Sequence, residues 1–298
     1  METLASGYGL IEGPVWRPGA GLLFSDVIHG GVHCLPEDGG PVRTVIEHRR
    51  GIGGMALHES GGLIVSGRNI AHKPDGGGAT LVLLDETAAP GVVGFNDITT
   101  DSEGRLYVGS LGFSPITPGA EQRPGYLHLI GLDGGSRVLA TGIELTNGLG
   151  VSPDGRRLYH SDSRTHQVWQ YERSDDGGLS PRTPFAEVSE GLADGLALSE
   201  DGAVWVAVAD GGCVLVFNAD GSRRERIAFP LPMVTSLCFG GRDMRDLYVV
   251  SGSRGSGSDR GGTGSARGGT GSARGGTVFR LRVEVPGLPV APARVKLP

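Results

Sequence analysis

Short apolar runs separated by polar turns recur along the whole 298-residue chain. Six times, an apolar stretch is followed by a turn rich in Gly, Asp or Pro and then by a second stretch rich in β-branched and aromatic residues. The copies are spaced 41, 43, 51, 47 and 41 residues apart, and they begin at Glu12, Gly53, Asn96, Asn147, Asp194 and Thr235. No stretch has a helical period over about 11 or more residues. The pattern therefore predicts an all-β fold, a six-bladed β-propeller with antiparallel strands in each blade.

Six blades of roughly 45 residues account for nearly the whole chain, so one domain over residues 1–298 is expected. The segment 252–276 departs from the pattern, because it repeats RGGTGSA and holds nothing that can bury apolar surface. We interpret it as a flexible Gly/Ser/Arg-rich insertion in the last blade, a tolerated surface loop rather than a basic cover over one mouth. The C-terminal PGLPVAPARVKLP is expected to close the ring or to trail off.

Charge and composition narrow the classes of partner. The net charge of −6 argues against nucleic acid, whose backbone is bound by clustered Lys and Arg. The N-terminus has neither a basic region nor a long apolar run, which predicts no membrane partner and a cytoplasmic protein. The three cysteines are widely spaced and form neither a disulfide framework nor a zinc pattern. A closed propeller needs no partner to cover strand edges, so a monomer is compatible with the pattern.

The first position of each copy carries the candidate chemistry. Blades are arranged radially, so equivalent residues meet around one axis, and four of the six carry side-chain oxygens: Glu12, Asn96, Asn147 and Asp194. Carboxylate and amide oxygens suit Ca²⁺, Mg²⁺ or Mn²⁺ better than a thiolate-preferring metal. Turn or strand capping would explain any one of these residues, but it explains four at one repeat position less well. The remaining two positions, Gly53 and Thr235, are expected to leave room for a substrate.

The motifs EGPVW (12–16), FND with DSEGRLYVGS (95–110), TNGLGVSPDGRRLYHSDS (146–163) and ADGLALSEDGAVWVA (193–207) resemble the senescence-marker-protein/gluconolactonase family of regucalcin-like lactonases. They occur in the family's order across essentially the whole chain. The resemblance implies a propeller with one catalytic divalent metal, held by Glu12, Asn147 and Asp194. It also implies substrate contacts from Asn96, which can approach the metal, and from Glu121, and a role for Asp194 as general base.

The expected function is a metal-dependent lactonase, a hydrolase of the EC 3.1.1 type. Water would attack an ester carbonyl polarised by the metal, with Asp194 accepting the proton. Ca²⁺ is the first expectation, with Mg²⁺, Mn²⁺ or Zn²⁺ as alternatives. Sugar-lactonase members carry an Arg at the position of Gly94, so one hydroxyl clamp is missing or supplied from elsewhere. The loop 111–124 could form an apolar lid, which would suit a less polar substrate.

Three other functions stay open at this point. A phosphotriesterase-like hydrolase could use the same metal to activate phosphoryl oxygen. A repurposed enzyme could act as an isomerase, lyase or cyclase on a natural product, because a fold does not determine a reaction. A metal-binding scaffold without catalysis would be consistent with the Gly at position 94. Structural or surface roles are expected for His160 and His166, and Asp162 is expected to fix a turn between strands. Packing between blades is expected for Trp16, Trp169 and Trp205.

Overall fold

The computed structural model describes residues 1–253 and 275–298, whose strands form six four-stranded antiparallel sheets. Blade 1 contains β2 (Ile11–Arg17), β3 (Gly21–Asp26), β4 (Val32–Pro36) and β5 (Arg43–Ile46); blade 2 contains β6 (Met55–Leu57), β7 (Leu63–Val65), β8 (Ile70–Lys73) and β9 (Leu81–Leu84); blade 3 contains β10 (Gly94–Thr100), β11 (Leu106–Leu111), β12 (Gly125–Ile130) and β13 (Ser136–Ile143). Blade 4 contains β14 (Thr146–Val151), β15 (Arg157–Asp162), β16 (Gln167–Glu172) and β17 (Thr183–Glu187); blade 5 contains β18 (Leu192–Leu198), β19 (Val204–Ala209), β20 (Cys213–Phe217) and β21 (Arg223–Ala228); blade 6 contains β22 (Val234–Gly240), β23 (Asp246–Ser251), β24 (Gly276–Arg282) and β1 (Glu2–Tyr8). Two single-turn 3₁₀ helices occupy Glu86–Ala88 and Ser163–Thr165.

The first strand of each repeat, from β2 to β22, packs beside the next around one axis, and β22 returns to β2. This confirms the prediction of an all-β, six-bladed propeller. Apolar side chains fill the spaces between neighbouring blades. Trp16 of blade 1 stacks on Tyr248 of blade 6, with ring centroids 5.5 Å apart, and Trp205 of blade 5 meets the edge of Phe239 of blade 6 at 5.3 Å. Trp169 lies instead under the Arg182 guanidinium of its own blade, 4.4 Å from the ring centroid.

The ring is closed by the N-terminus and not by the C-terminus. β1 pairs with β24 in antiparallel register, with Glu2 opposite Arg280 and Thr3 opposite Phe279. The expectation that the C-terminal segment closes the ring is therefore wrong. Its prolines cannot donate ladder hydrogen bonds, which disfavours a strand at that position.

The C-terminal tail, residues 285–298, crosses one end of the propeller instead. We call this the lower end; the first residues of the inner strands lie at the upper end. The tail is held by backbone hydrogen bonds of 2.7–2.8 Å to blades 6, 5, 2 and 3, donated by Gly287 to Met244, by Leu288 to Leu198, by Ala293 to Leu57 and by Arg294 to Gly104. A cavity of about 830 Å³ occupies the axial channel above it, lined by the inner strands and by residues 288–292 of the tail. The tail thus covers the lower mouth of the channel.

Most of the predicted insertion, residues 254–274, lies outside the described residues. Its flanks are placed: Gly252 forms an antiparallel bridge with Leu10, and Gly276 begins β24. Within the described ranges, no helix is long and apolar enough to span a membrane.

Candidate functional site

A break in strand pairing turns each oxygen-bearing residue toward the axis. Pairing between the first and second strands of a blade is interrupted between Glu12 and Val15, Phe95 and Ile98, Thr146 and Leu149, and Ala193 and Leu196. A bulge of this kind bends the strand and redirects a side chain. Glu12, Asn96, Asn147 and Asp194 all lie at or inside these interruptions, at the upper end of the inner strands.

Glycines next to these residues let the inner strands approach closely. A Cβ atom on Gly148 would lie 2.3 Å from the backbone nitrogen of Leu196, and one on Gly195 would lie 2.2 Å from Ser236 Oγ. Both distances are far below van der Waals contact. Glycine at these two positions therefore brings blades 4, 5 and 6 together at the level of the candidate site.

The two amide side chains of the site are directly connected. Asn96 Nδ2 donates to Asn147 Oδ1 at 2.5 Å and to the backbone oxygen of Thr146 at 2.8 Å. Asn147 Nδ2 donates to Ser163 Oγ at 2.6 Å, and that hydroxyl donates to the backbone oxygen of Ala193 at 2.6 Å. Because Ser163 uses its hydrogen on Ala193, it can only accept from Asn147. The amide nitrogen of Asn147 is thereby held at Ser163 and its Oδ1 on the side of Asn96.

The two remaining positions around the axis are occupied rather than open. A Cβ on Gly53 would lie 1.9 Å from Asn96 Oδ1, so the missing side chain makes room for the Asn96 carboxamide. The buried Thr235 donates through Oγ1 to the backbone oxygen of Ile11 at 2.6 Å and ties β22 to β2. The expectation that these two positions leave room for a substrate is not met.

Three carboxyl groups, those of Glu12, Asp97 and Asp194, repel one another electrostatically at this site. Burial, then repulsion by Asp194 and Asp97, raises the pKa of Glu12 well above its ordinary value, against the opposing effect of the Gly13 N–H. Burial and repulsion by Asp97 likewise raise the pKa of Asp194 well above its ordinary value. Asp194 is 7 % exposed, and its Oδ1 has no hydrogen-bond partner among the described residues.

The repeat pattern did not point to Asp97 as a third acid. It follows Asn96 at a position where four of the other copies have Gly, and it lines the upper part of the axial cavity. Burial raises its pKa to about 7. The FND motif was the available signal, but only the folded ring places this carboxyl group near Glu12 and Asp194.

These features fit a divalent cation. An orphaned buried carboxylate oxygen and mutually repelling acids are stabilised by a positive charge between them. Within the described ranges, no group of three or more His, Cys, Asp or Glu side chains is arranged to hold a metal, so the donors would be two carboxylates together with amide oxygen. Such a donor set is typical of hard cations.

Glu121 lies apart from these residues. It is exposed on the loop 112–124 at the upper end and pairs with Arg123 at 2.7 Å. A substrate contact from Glu121 stays a prediction. The same holds for an apolar lid, for which the loop offers a buried Phe113 and an exposed Ile116.

The structural roles expected for two other polar residues are confirmed. The buried Asp162 accepts backbone hydrogen bonds from Glu144 and Leu145 at 3.0 and 2.9 Å and so fixes the turn before β14. His160 is fully buried, and its Nε2 lies 3.0 Å from Thr146 Oγ1.

Comparison with known proteins places this geometry in context. The chain is 32 % identical over 260 residues to a pentonolactonase of Haloferax volcanii, covering 83 % of each chain. It is also 32 % identical over 285 residues to a 6-deoxy-6-sulfogluconolactonase of Pseudomonas putida, covering 93 % of this chain and 92 % of the relative. A solved luciferin-regenerating enzyme superposes with a TM-score of 0.84 at 21 % identity over 98 % of this chain and 97 % of that one. A calcium-binding regucalcin of Agrobacterium tumefaciens superposes with a TM-score of 0.81 at 21 % identity, over 98 % and 96 % of the two chains.

At these identities the two solved structures establish the fold alone. The family profile described as SMP-30/Gluconolactonase/LRE-like region matches residues 10–253. This range contains blades 1 to 5 and the first two strands of blade 6. Two relatives above 30 % identity extend over most of the chain. The protein belongs to the SMP-30/gluconolactonase/LRE-like family.

Proposed function

We propose that this protein is a divalent-cation-dependent lactonase, which hydrolyses a cyclic ester with Asp194 as general base. The observation that carries the proposal is the pair of half-buried Glu12 and buried Asp194, with an orphaned Asp194 Oδ1, together with the connected amides of Asn96 and Asn147. Two relatives with about a third of their residues identical are named for lactone hydrolysis, which supports the same reaction class.

Glu12, Asn147 and Asp194 would hold the cation, which we expect to be Ca²⁺ before Mg²⁺, Mn²⁺ or Zn²⁺. When bound, it supplies a Lewis acid that stabilises negative charge on an ester carbonyl oxygen. The side chains provide the rest of the chemistry. The Ser163 hydroxyl fixes the Asn147 amide, so the amide oxygen does not have to be reoriented when a ligand arrives.

Asp194 is the residue best placed to move the proton. Its free Oδ1 can accept a proton from the water that attacks the carbonyl carbon. The bond between that carbon and the ring oxygen then breaks, and the proton passes to the departing oxygen, which becomes the hydroxyl of the open-chain acid. We expect the substrate to contact Asn96 and Glu121.

The test is the Asp194→Asn variant, which keeps the shape of the side chain but cannot take up the proton. We expect turnover of lactones to fall by at least about 100-fold with an unchanged circular dichroism spectrum. Asp220→Asn is the matched control, because Asp220 lies in an exposed turn of the same blade, where it binds Ser222. Hydrolysis by Asp194→Asn at the wild-type rate would refute the mechanism.

A panel of substrates that includes phosphotriesters separates this function from that of a phosphotriesterase. Metal analysis of the purified protein tests for the cation.

A further inference from the structure

Two arginines lie at the upper end of blade 2, next to the candidate site. Arg68 is in the turn between β7 and β8, directly after Gly67. Gly67 forms an antiparallel bridge with Phe95, the residue before Asn96, through backbone hydrogen bonds of 2.7 and 3.2 Å. The turn that carries Arg68 is therefore fastened to the strand that carries Asn96.

Arg49 reaches the same turn from the connection between β5 and β6. Its Nη2 donates to the backbone oxygens of Ser66 and Asn69 at 3.1 and 2.9 Å and to Asn69 Oδ1 at 2.8 Å. The hydroxyl of that same Ser66 accepts from the backbone nitrogens of Gly53 and Gly54, at 3.1 and 2.8 Å. One residue, Ser66, therefore connects Arg49 to Gly53. The Asn96 amide packs against Gly53.

Neither guanidinium is neutralised. Most arginines of the described chain pair with a carboxylate, but Arg49 and Arg68 have no ion pair among the described residues. Arg49 is half-buried, its Nε is buried without a hydrogen-bond partner, and burial lowers its pKa. The pKa values of Glu12 and Asp194 are not lowered by any arginine. These two cations are therefore not used to offset the acids of the site.

The neighbouring Arg50 serves as a contrast. Its side-chain stem lies over Gly30, where an added Cβ would be 3.0 Å from Arg50 Cγ. Arg50 is therefore directed toward blade 1. Of the arginines in this region, Arg49 and Arg68 are the two associated with the turn next to Asn96.

We propose that Arg49 and Arg68 form a subsite for an anionic group, such as a carboxylate or sulfonate, that the lactone substrate carries away from its ester. The inference rests on the proposed function and names its substrate class. A planar guanidinium with free N–H groups binds such oxyanions through paired, charge-assisted hydrogen bonds. The exposed guanidinium of Arg68 supplies them from the turn after Gly67, and Arg49, which binds that turn through Nη2, adds a second positive charge beside it.

The test compares two lactones with the same ring, one ending in a carboxylate and the other in a hydroxymethyl group. We expect the wild type to have a kcat/KM for the carboxylated lactone about tenfold or more above that for the neutral one. Arg68→Gln and Arg49→Gln should each lower this ratio about tenfold while hydrolysis of the neutral lactone is retained.

Arg68 is exposed, so its substitution does not endanger folding. Arg43→Gln is the matched control, because Arg43 is exposed at the lower end of β5. A ratio near one in the wild type, or an unchanged ratio in both variants, would overturn the subsite and leave the lactonase proposal intact.

A second measurement does not depend on turnover. Calorimetry would compare binding of a five-membered cyclic ether bearing a carboxylate with its hydroxymethyl counterpart, with and without Ca²⁺. Preferential binding of the carboxylate by the wild type, lost in Arg68→Gln but kept in Arg43→Gln, would support the subsite even if no lactone were hydrolysed. Equal binding of the two ethers would count against it whatever the enzymatic result.

Discussion

Ser163 determines which atom of Asn147 is available to a ligand. Its hydroxyl accepts from Asn147 Nδ2 and donates to the Ala193 backbone oxygen, so both ends of the hydroxyl are used. A carboxamide without such a partner can rotate by half a turn and present nitrogen in place of oxygen, which repels a cation. Together with the Asn96 amide, which donates to Asn147 Oδ1, this buried hydroxyl orients the Asn147 oxygen.

We therefore expect Ser163→Ala to weaken Ca²⁺ binding by about tenfold, because the Asn147 amide loses one of the two partners that fix its orientation and keeps only Asn96. Titration calorimetry of chelator-treated protein measures the change. Thr165→Ala is the control, since Thr165 belongs to the same 3₁₀ turn but donates to the Asp162 backbone oxygen. Unchanged affinity in Ser163→Ala would show that Asn147 does not need this contact.

Residues of the candidate site that occupy a repeat position can be predicted from the sequence, whereas contacts that form only in the folded chain cannot. Glu12, Asn147 and Asp194 can be named as candidate ligands from the sequence, because equivalent positions of radially arranged repeats meet around one axis. Ser163 ends the motif 146–163, but nothing in that motif indicates that its hydroxyl contacts Asn147 and Ala193. The sequence shows Asp97 in the FND motif but does not indicate its role, because Asp97 comes near Glu12 and Asp194 only in the closed ring.

At the scale of the elements, the inner strands are held close by small residues. Gly195 in β18 faces Ser236 in β22, where a Cβ would come within 2.2 Å of the Ser236 hydroxyl oxygen and 2.7 Å of its Cα. The backbone Cα cannot move aside without shifting β22. The spacing of blades 5 and 6 near Asp194 therefore depends on one absent methyl group.

Gly195→Ala is expected to destabilise the protein by about 1–3 kcal/mol, since the added methyl group has to push β22 outward. The free energy of unfolding in urea measures the effect, and Ca²⁺ affinity should fall with it. In Gly135→Ala, the control, the new methyl group would meet only the Asp133 carboxylate, 3.2 Å away. Equal stabilities of the two variants would contradict tight packing at this strand pair.

Two buried histidines on the blades make stability sensitive to acid. Burial lowers the pKa of His160 to about 3, with a smaller contribution from Arg182, and lowers that of His128 to about 4. An unfolded histidine titrates near pH 6.5, so the folded state excludes protons that the unfolded state binds. The contribution of the two neutral histidines to the free energy of unfolding is complete above about pH 6.5. It is lost as the pH falls from 6.5 toward their folded-state pKa values.

His160→Gln should therefore remove part of the acid sensitivity. Between pH 6.5 and pH 5, His160 alone is expected to cost about 2 kcal/mol of unfolding free energy, and the variant should lose that much less than the wild type. Urea unfolding at pH 7 and pH 5 measures the difference. His48→Gln, whose imidazole is 92 % exposed, serves as control. A pH dependence identical to that of the wild type would disprove the role of His160.

On the scale of the whole molecule, both chain ends secure the propeller, at different places. β1 completes blade 6, and the C-terminal tail joins the lower ends of several blades beneath the axial cavity. The sequence predicted the number of blades, because six repeats imply six sheets. It could not assign β1, since ETLASGY is too short and too polar to be recognised as a strand before its neighbour β24 is known.

Deleting residues 1–7 is expected to lower the thermal unfolding midpoint by on the order of 10 °C and to promote aggregation. The deletion removes the ladder that covers β24 and exposes a strand edge. Scanning calorimetry and light scattering measure the two effects. Removal of residues 297–298 at the other end is the control and should leave the midpoint unchanged. Wild-type stability of the N-terminal deletion would mean that β1 is dispensable for holding the ring shut.

The pairing of β1 with β24 also sets an order of events during synthesis. β1 is synthesised long before its partner β24, at residues 276–282, and must wait for it. Until then the nascent chain can form early blades but no complete circle, and the acids of the proposed cation site remain apart. Loop closure over the long segment between β1 and β24 is slow compared with local hairpin formation. Binding of the proposed cation should therefore follow the synthesis of blade 6, and a chain that stalls before blade 6 should bind no ion at the axis.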